Sequence, residues 1–136
     1  MAGPVLMPLE NTVRYAINSV DGEAEWAAMT PGNGIIHLGE HRQPFSVSMF
    51  HQLRCISILR KEMQSMHTAS SEHNASDWAL TQHCLNYMRQ MLFCAADTIM
   101  DVVLGPTSHP LVVPEIFTCK DWNLIYGAVR INQLGS

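Results

Sequence analysis

Twice in this sequence a histidine and a cysteine stand within a helical turn of each other: His51 and Cys55 in SMFHQLRC (48–55), and His83 and Cys84 in LTQHCLNYMRQMLFCAAD (80–97). Imidazole exchanges protons near neutrality, with an unperturbed pKa of about 6.5, and also ligates transition metals. A thiol can attack an electrophile, bind a metal or pair into a disulfide. Arg54, between His51 and Cys55, adds a permanent cation able to clamp an anion or a developing enolate or alkoxide. In the second segment His83, Tyr87, Gln90, Cys94 and Asp97 recur at steps of four, three, four and three, which is one stripe of a helix. A stripe facing water would carry Glu and Lys, so this one reads as the wall of a pocket. His51, His83, Arg54 and Asp97 are its candidate catalytic residues, with Asp97 alternatively a cap or a partner for Arg89. Tyr87 and Gln90 are candidate substrate contacts.

These side chains need two helices to position them. Met49, Phe50, Leu53, Ile56, Leu59 and Met63 recur at three and four residues, which predicts a helix over about 47–66, apolar on most of its circumference and so packed against other elements. His51 and Cys55, at i and i+4, then face protein or a cavity. The polar run His67 to Ser76 predicts a loop. A second, longer helix is expected from Ser76, with Asn74 or Ser76 as cap, to Leu104, stopped by Gly105 and Pro106. Its expected core stripe is Leu85, Met88, Met91 or Leu92, Ala95, Ile99 and Val102.

Around this pair the sequence predicts smaller pieces. PLENTVRYAIN reads as extended, Asp21 as the cap of a short helix carrying Trp26, and Pro31, Gly32 and Gly34 as its stop. GIIHLG reads as a brief strand and Pro110 to Pro114 as extended. Thr118 to Asp121 has capping-box spacing before a C-terminal helix through Trp122, Ile125, Tyr126 and Val129. The expected fold is a mostly α single domain, 1–136: two packed motif helices and a C-terminal helix, with short extended N-terminal segments. The methionines at helical spacing belong to its core.

Composition narrows the function classes. With 136 residues, 47% hydrophobic and 15% charged, the chain can bury a core. Eight Lys and Arg against twelve Asp and Glu give a formal charge of −4, which leaves no basic surface for a phosphate backbone, so nucleic acid is not an expected partner. No apolar run is long enough for a membrane span and Met1 to Glu10 has no signal-peptide pattern, so the expectation is a soluble chain. Asn74-Ala75-Ser76 would accept a glycan if the protein entered the secretory route.

FHQLRC and HCLNYMRQMLFCAAD, with PLENTVRYAIN and the Trp26 to Pro31 segment before them and TCKDW after, resemble the UstYa family of fungal mycotoxin-biosynthesis proteins in order and spacing, from about Pro8 to Arg130. The resemblance implies a tailoring enzyme acting on a small natural product, many relatives closing rings oxidatively, and a secretory lumen as its place. It also implies two H-x-x-H-C motifs, for which copper is implicated. Here each motif lacks one histidine: Arg54 stands in the second position of the first, Leu80 in the first position of the second. Neither side chain can ligate copper, so a four-histidine site is not expected.

The expected chemistry is therefore ring formation or rearrangement by acid and base catalysis through His51 and His83, with no metal cofactor. The alternative keeps copper on His51 and His83 with a third ligand from His37, His41 or His109, and a further one is a non-catalytic member that partners an active enzyme. Four cysteines allow three pairings. Cys55 with Cys84 would staple the motif helices and Cys94 with Cys119 would tie the long helix to the last one, the latter being the pair most expected to form.

Overall fold

The computed structural model describes residues 3–9, 12–68, 75–100, 103–104, 111–112 and 116–135. The order is β1 (Val5–Pro8), α1 (Val20–Ala28), a 3₁₀ turn (Pro31–Gly34), β2 (Ile35–Leu38), β3 (Gln43–Ser46), α2 (Ser48–Thr68), α3 (Ala75–Ala95), β4 (Val103–Leu104), β5 (Leu111–Val112), β6 (Ile116–Cys119) and α4 (Trp122–Leu134). The domain is mostly helical, built on α2 and α3 packed side by side, with α4 and short strands around them. The strands form three antiparallel two-stranded ladders, β1 with β6, β2 with β3 and β4 with β5. Among the described residues no helix is long and apolar enough to cross a membrane.

Helix α2 matches its expected span, but α3 ends at Ala95, well before the expected Leu104. Ala96 takes a left-handed backbone (φ 43°) while its N–H still reaches the Leu92 carbonyl at 3.0 Å. The Asp97 carboxylate then accepts the Ile99 N–H at 3.0 Å, so a side chain supplies the backbone partner that another helical turn would have supplied. The helix is thus about 30 Å long rather than about 42 Å. Val102, the Gly105-Pro106 stop, the Asn74 cap and glycan acceptor, and His109 lie outside the described residues.

The inward stripe of α3 also differs from the expected one. Thr81 and Cys84 are buried and Tyr87, Met88 and Met91 half-buried, whereas Leu85 and Leu92 are 56% and 69% exposed. Residue 84 is tied to α2, and at 100° per residue that turns residue 85 outward. Ile99, beyond the helix end, is half exposed.

Helix α2 carries the rest of the fold. Fully buried Phe50 meets Tyr126 of α4 edge-on, with ring centroids 5.0 Å apart, and the Tyr126 hydroxyl donates to the Met29 carbonyl at 2.6 Å. Burial pushes that phenol above its ordinary pKa. The side chain of Asn132 pairs with both backbone groups of His37 in β2, at 2.8 Å each, and Gln133 donates to Pro31 and Ile35, so α4 is clamped to β2 and the 3₁₀ turn.

On the other side Arg60, only 4% exposed, donates to the Glu23 carboxylate and, at 2.9 Å, to the Ile17 carbonyl, and lies 5.8 Å from the Trp26 ring centre. Helix α1 is capped by Ser19, whose Oγ accepts the Gly22 N–H at 2.9 Å, and not by Asp21, which sits in its first turn. The N-cap of α4 likewise falls on Asp121 itself, because Thr118 and Cys119 belong to β6. Of the described residues of PLENTVRYAIN only the first, Pro8, lies in a strand; residues 13–15 and 17–19 are bends.

Gly34 adopts φ 68°, and a Cβ there would overlap Cβ of Phe50. Gly39 adopts φ 77° with nothing near. Gly34→Ala should therefore cost about 2–4 kcal/mol through backbone strain and overlap. Gly39→Ala should cost about 1 kcal/mol through strain alone. Urea denaturation of the two variants beside the parent measures the difference; equal losses would mean that the Phe50 contact sets nothing.

Candidate functional site

The bridge between Cys55 and Cys84 is the centre of the site. Both cysteines are essentially inaccessible, their Cα atoms are 4.9 Å apart, and they join α2 to α3 across a sequence separation of 29. His51 lies one turn before Cys55 and His83 is the neighbour of Cys84, so the bridge brings the two imidazoles to the same groove. Their ring centres are 5.9 Å apart and their planes differ by 20°. Tyr87, one turn beyond His83, stacks on His51 at 3.9 Å between centres, also at 20°. Pairs 55 with 84 and 51 with 87 run in opposite senses along the two chains, as antiparallel helices require.

This groove is not enclosed. His51 and Tyr87 are half-buried, but His83, Gln90, Cys94 and Asp97 are exposed, so the polar stripe of α3 borders an open surface and not the wall of a closed pocket. Tyr87 joins the histidines. Asp97 lies past the helix end and lines a separate cavity with Met7, Leu9, Phe117 and Cys119, beside the β1–β6 ladder. Arg89 lies 5.9 Å from the Phe93 ring centre.

Electrostatics distinguish His51 from an ordinary histidine. Partial burial holds its pKa below the usual value, and the neighbouring His83 and Arg54 push in the same direction because each disfavours a second positive charge. His51 is therefore a neutral base at neutral pH. The sign for folding follows: a histidine depressed in the native state costs stability as pH falls from the ordinary value toward the folded one.

The expected Cys94–Cys119 bridge does not form. Cys94 is an exposed thiol in the last turn of α3, and Cys119 is a half-buried thiol held in β6 opposite Val5. With Cys55 and Cys84 consumed by each other, the described residues of the groove offer a metal two imidazole nitrogens and the Tyr87 phenol oxygen. Among the described residues no three His, Cys, Asp or Glu side chains are grouped to hold a metal ion. His37 is placed in the β2–α4 clamp and His41 in the turn between β2 and β3, and neither groups with His51 and His83, while His109, the remaining candidate third ligand, lies outside the described residues. Among the described residues the groove therefore holds two of the nitrogen donors that a copper ion would use.

Sequence reasoning missed the cleft on the other side of α2. It is lined by Arg54 and Lys61 of α2 and by Glu23 and Trp26 of α1, and encloses about 250 Å³. Only the spacing of Arg54, Ser57, Ile58 and Lys61, one stripe of α2, hinted at it.

A helical domain whose two central helices carry paired histidine and cysteine motifs, locked by a buried bridge, defines the class of protein. The chain belongs to the family of mycotoxin biosynthesis protein UstYa, whose family model matches residues 3–126. No curated protein and no solved structure gives a significant match.

Two measurements check this geometry. Alkylation of oxidised protein should label two thiols, Cys94 and Cys119, while replacing Cys55 and Cys84 together by serine should cost about 3–4 kcal/mol, the loop-closure value for this separation. By NMR, His51 should titrate below the ordinary value of about 6.5. His83→Ala and Arg54→Gln should each raise it; a His51 that ignores both changes would mean that the groove is not assembled as described.

Proposed function

We propose that this protein is a tailoring enzyme of natural-product biosynthesis that forms or rearranges a ring by redox-neutral acid and base catalysis at the His51–His83 groove. Its support is the stacked pair of imidazoles 5.9 Å apart, one of them depressed in basicity. Within the family this chain is a divergent member, with Arg54 and Leu80 in place of two motif histidines. The domain reading, one unit over 1–136, goes with this proposal.

Neutral His51 takes a proton from an acidic C–H or O–H of the precursor. The electron pair left behind forms the new bond or an enolate, and protonated His83 returns a proton to the oxygen that gains charge. Solvent then restores both rings, so the reaction consumes no oxidant. Tyr87 fixes the plane of His51 by stacking and gives the precursor a flat apolar surface. Gln90, one turn from Tyr87 at the exposed end of the groove, contacts the substrate. Arg54 adds its charge to burial and to His83 in disfavouring the protonated form of His51. A positioned base or acid contributes about 10²- to 10⁴-fold, and holding a flexible precursor in its reactive conformation adds to that.

Turnover of a cyclisable precursor should survive chelator treatment, and His51→Ala or His83→Ala should lower kcat by about two orders of magnitude or more. The acid limb of kcat/KM should fall below histidine's ordinary value, because His51 must be neutral in the free enzyme. Loss of activity with chelator and its return with Cu²⁺ would assign the groove to copper-dependent oxidation. Normal turnover in both histidine variants would take catalysis away from this groove, and no turnover by the parent protein would leave a non-catalytic family member that partners an active enzyme.

A further inference from the structure

The cleft between α1, the 3₁₀ turn and α2 has its own chemistry. Arg54, Ser57, Ile58 and Lys61 are one stripe of α2, with Arg54 turned about 100° from Cys55 and so away from the α3 side. Facing them are Trp26, Ala27 and Thr30 of the α1 end and Asn33 of the turn. The cleft is therefore apolar at one part, through Trp26, Ala27 and Ile58, and rich in hydrogen-bond donors at another, through Arg54, Ser57, Thr30 and Asn33.

Its charge is unbalanced. The one carboxylate in the lining, Glu23, is already engaged on both oxygens: Oε1 lies 3.3 Å from Nζ of Lys61, and Oε2 accepts from Arg60. Arg54 has no acidic partner among the described residues. The lining thus sets two cations, Arg54 and Lys61, beside one carboxylate that buried Arg60 also engages, in a chain whose formal charge is −4. A guanidinium without a carboxylate, with hydroxyl and amide donors beside it, is the arrangement that receives two oxygens of a planar or tetrahedral anion. Trp26, braced by Arg60 at 5.8 Å and by Tyr15 edge-on at 5.8 Å, offers a fixed aromatic surface next to it.

We infer that this cleft is a binding site for a small organic anion, a carboxylate or phosphate group seated on Arg54 with a flat apolar body against Trp26. The site is separate from the histidine groove and does not rest on the acid and base reading. Its volume of about 250 Å³ limits the occupant to a single ring or a short side chain, below the usual range for drug-sized ligands.

The test uses three probes of one shape: phenylacetate, phenyl phosphate and neutral phenylacetamide. Binding is followed by NMR at the indole N–H signals of Trp26, Trp78 and Trp122. The anions should shift the Trp26 signal saturably while leaving Trp78 and Trp122 in place, and phenylacetamide should bind at least about tenfold more weakly, the loss of a charge-assisted pair. Whichever oxyanion binds tighter identifies the group. Arg54→Gln should weaken both anions about tenfold or more with an unchanged melting temperature, and Ser57→Asp, which brings a carboxylate to Arg54 from within, should block them. Equal binding of acid and amide, retention of affinity in Arg54→Gln, shifts confined to Trp78 or Trp122, or no response to any probe would overturn the proposal.

Discussion

The buried bridge between Cys55 and Cys84 is the constraint on which the rest of the site depends. Two 21-residue helices with modest polar faces have many ways to lie side by side, and a slip of one turn would shift one imidazole along the axis by about 5.4 Å relative to the other. A covalent link with Cα atoms 4.9 Å apart removes that freedom at one point, and the antiparallel geometry propagates it to residues 51, 83 and 87. It also changes what the cysteines are for. Once paired and buried they supply no thiolate, and the side chains the groove presents beside them are imidazole and phenol.

Helix α2 is held from three directions, and each contact has a different physical origin. Against α3 it is covalent; against α4 it is the close approach of Phe50, Gly34 and Tyr126; against α1 it is the hydrogen-bonded ion pair of Arg60 with Glu23. The pair lowers the Glu23 pKa, chiefly through its hydrogen bond with Arg60 and next through that with Lys61. Its contribution is present above the ordinary carboxylate value and lost as pH falls through the depressed one. Acid therefore acts on the α1 contact through Glu23 and on the groove through His51, while the bridge and the Phe50–Tyr126 contact carry no group that titrates in acid.

What was legible in the sequence follows from the range of the signals. Apolar recurrence from Met49 to Met63 gave α2 almost to the residue, and the echo of His51 and Cys55 in His83 and Cys84 gave the meeting of the two imidazoles, because both are local patterns on helices that must pack. The end of α3 was not legible: apolar residues continue past Ala95 at helical spacing, and the stop is made by Asp97 accepting a backbone N–H, with no glycine or proline there. The pairing of the cysteines was half legible. Cys94 and Cys119 were expected to pair because one lies in the long helix and the other beside the last one, but Cys94 is exposed at the end of α3 and Cys119 is held in β6 opposite Val5. The wrong core stripe has the same kind of cause, since a rotation of one residue about the bridge moves Leu85 from inside to outside.

The cleft was invisible for a different reason. It joins residues 23 to 33 with residues 54 to 61, and nothing in either segment alone marks the other. Yet the two sites are not electrostatically separate, because Arg54 belongs to both: its side chain lines the cleft, and its charge helps keep His51 unprotonated. Linkage makes that relation reciprocal. An anion seated on Arg54 cancels part of the field at His51 and raises its basicity, and a proton on His51 strengthens the hold on the anion by the same free energy. Arg54 therefore puts a fixed charge one turn from His51, where it adds to burial and to His83 in lowering the imidazole's basicity and ties it to whatever lies on the α1 side of the same helix.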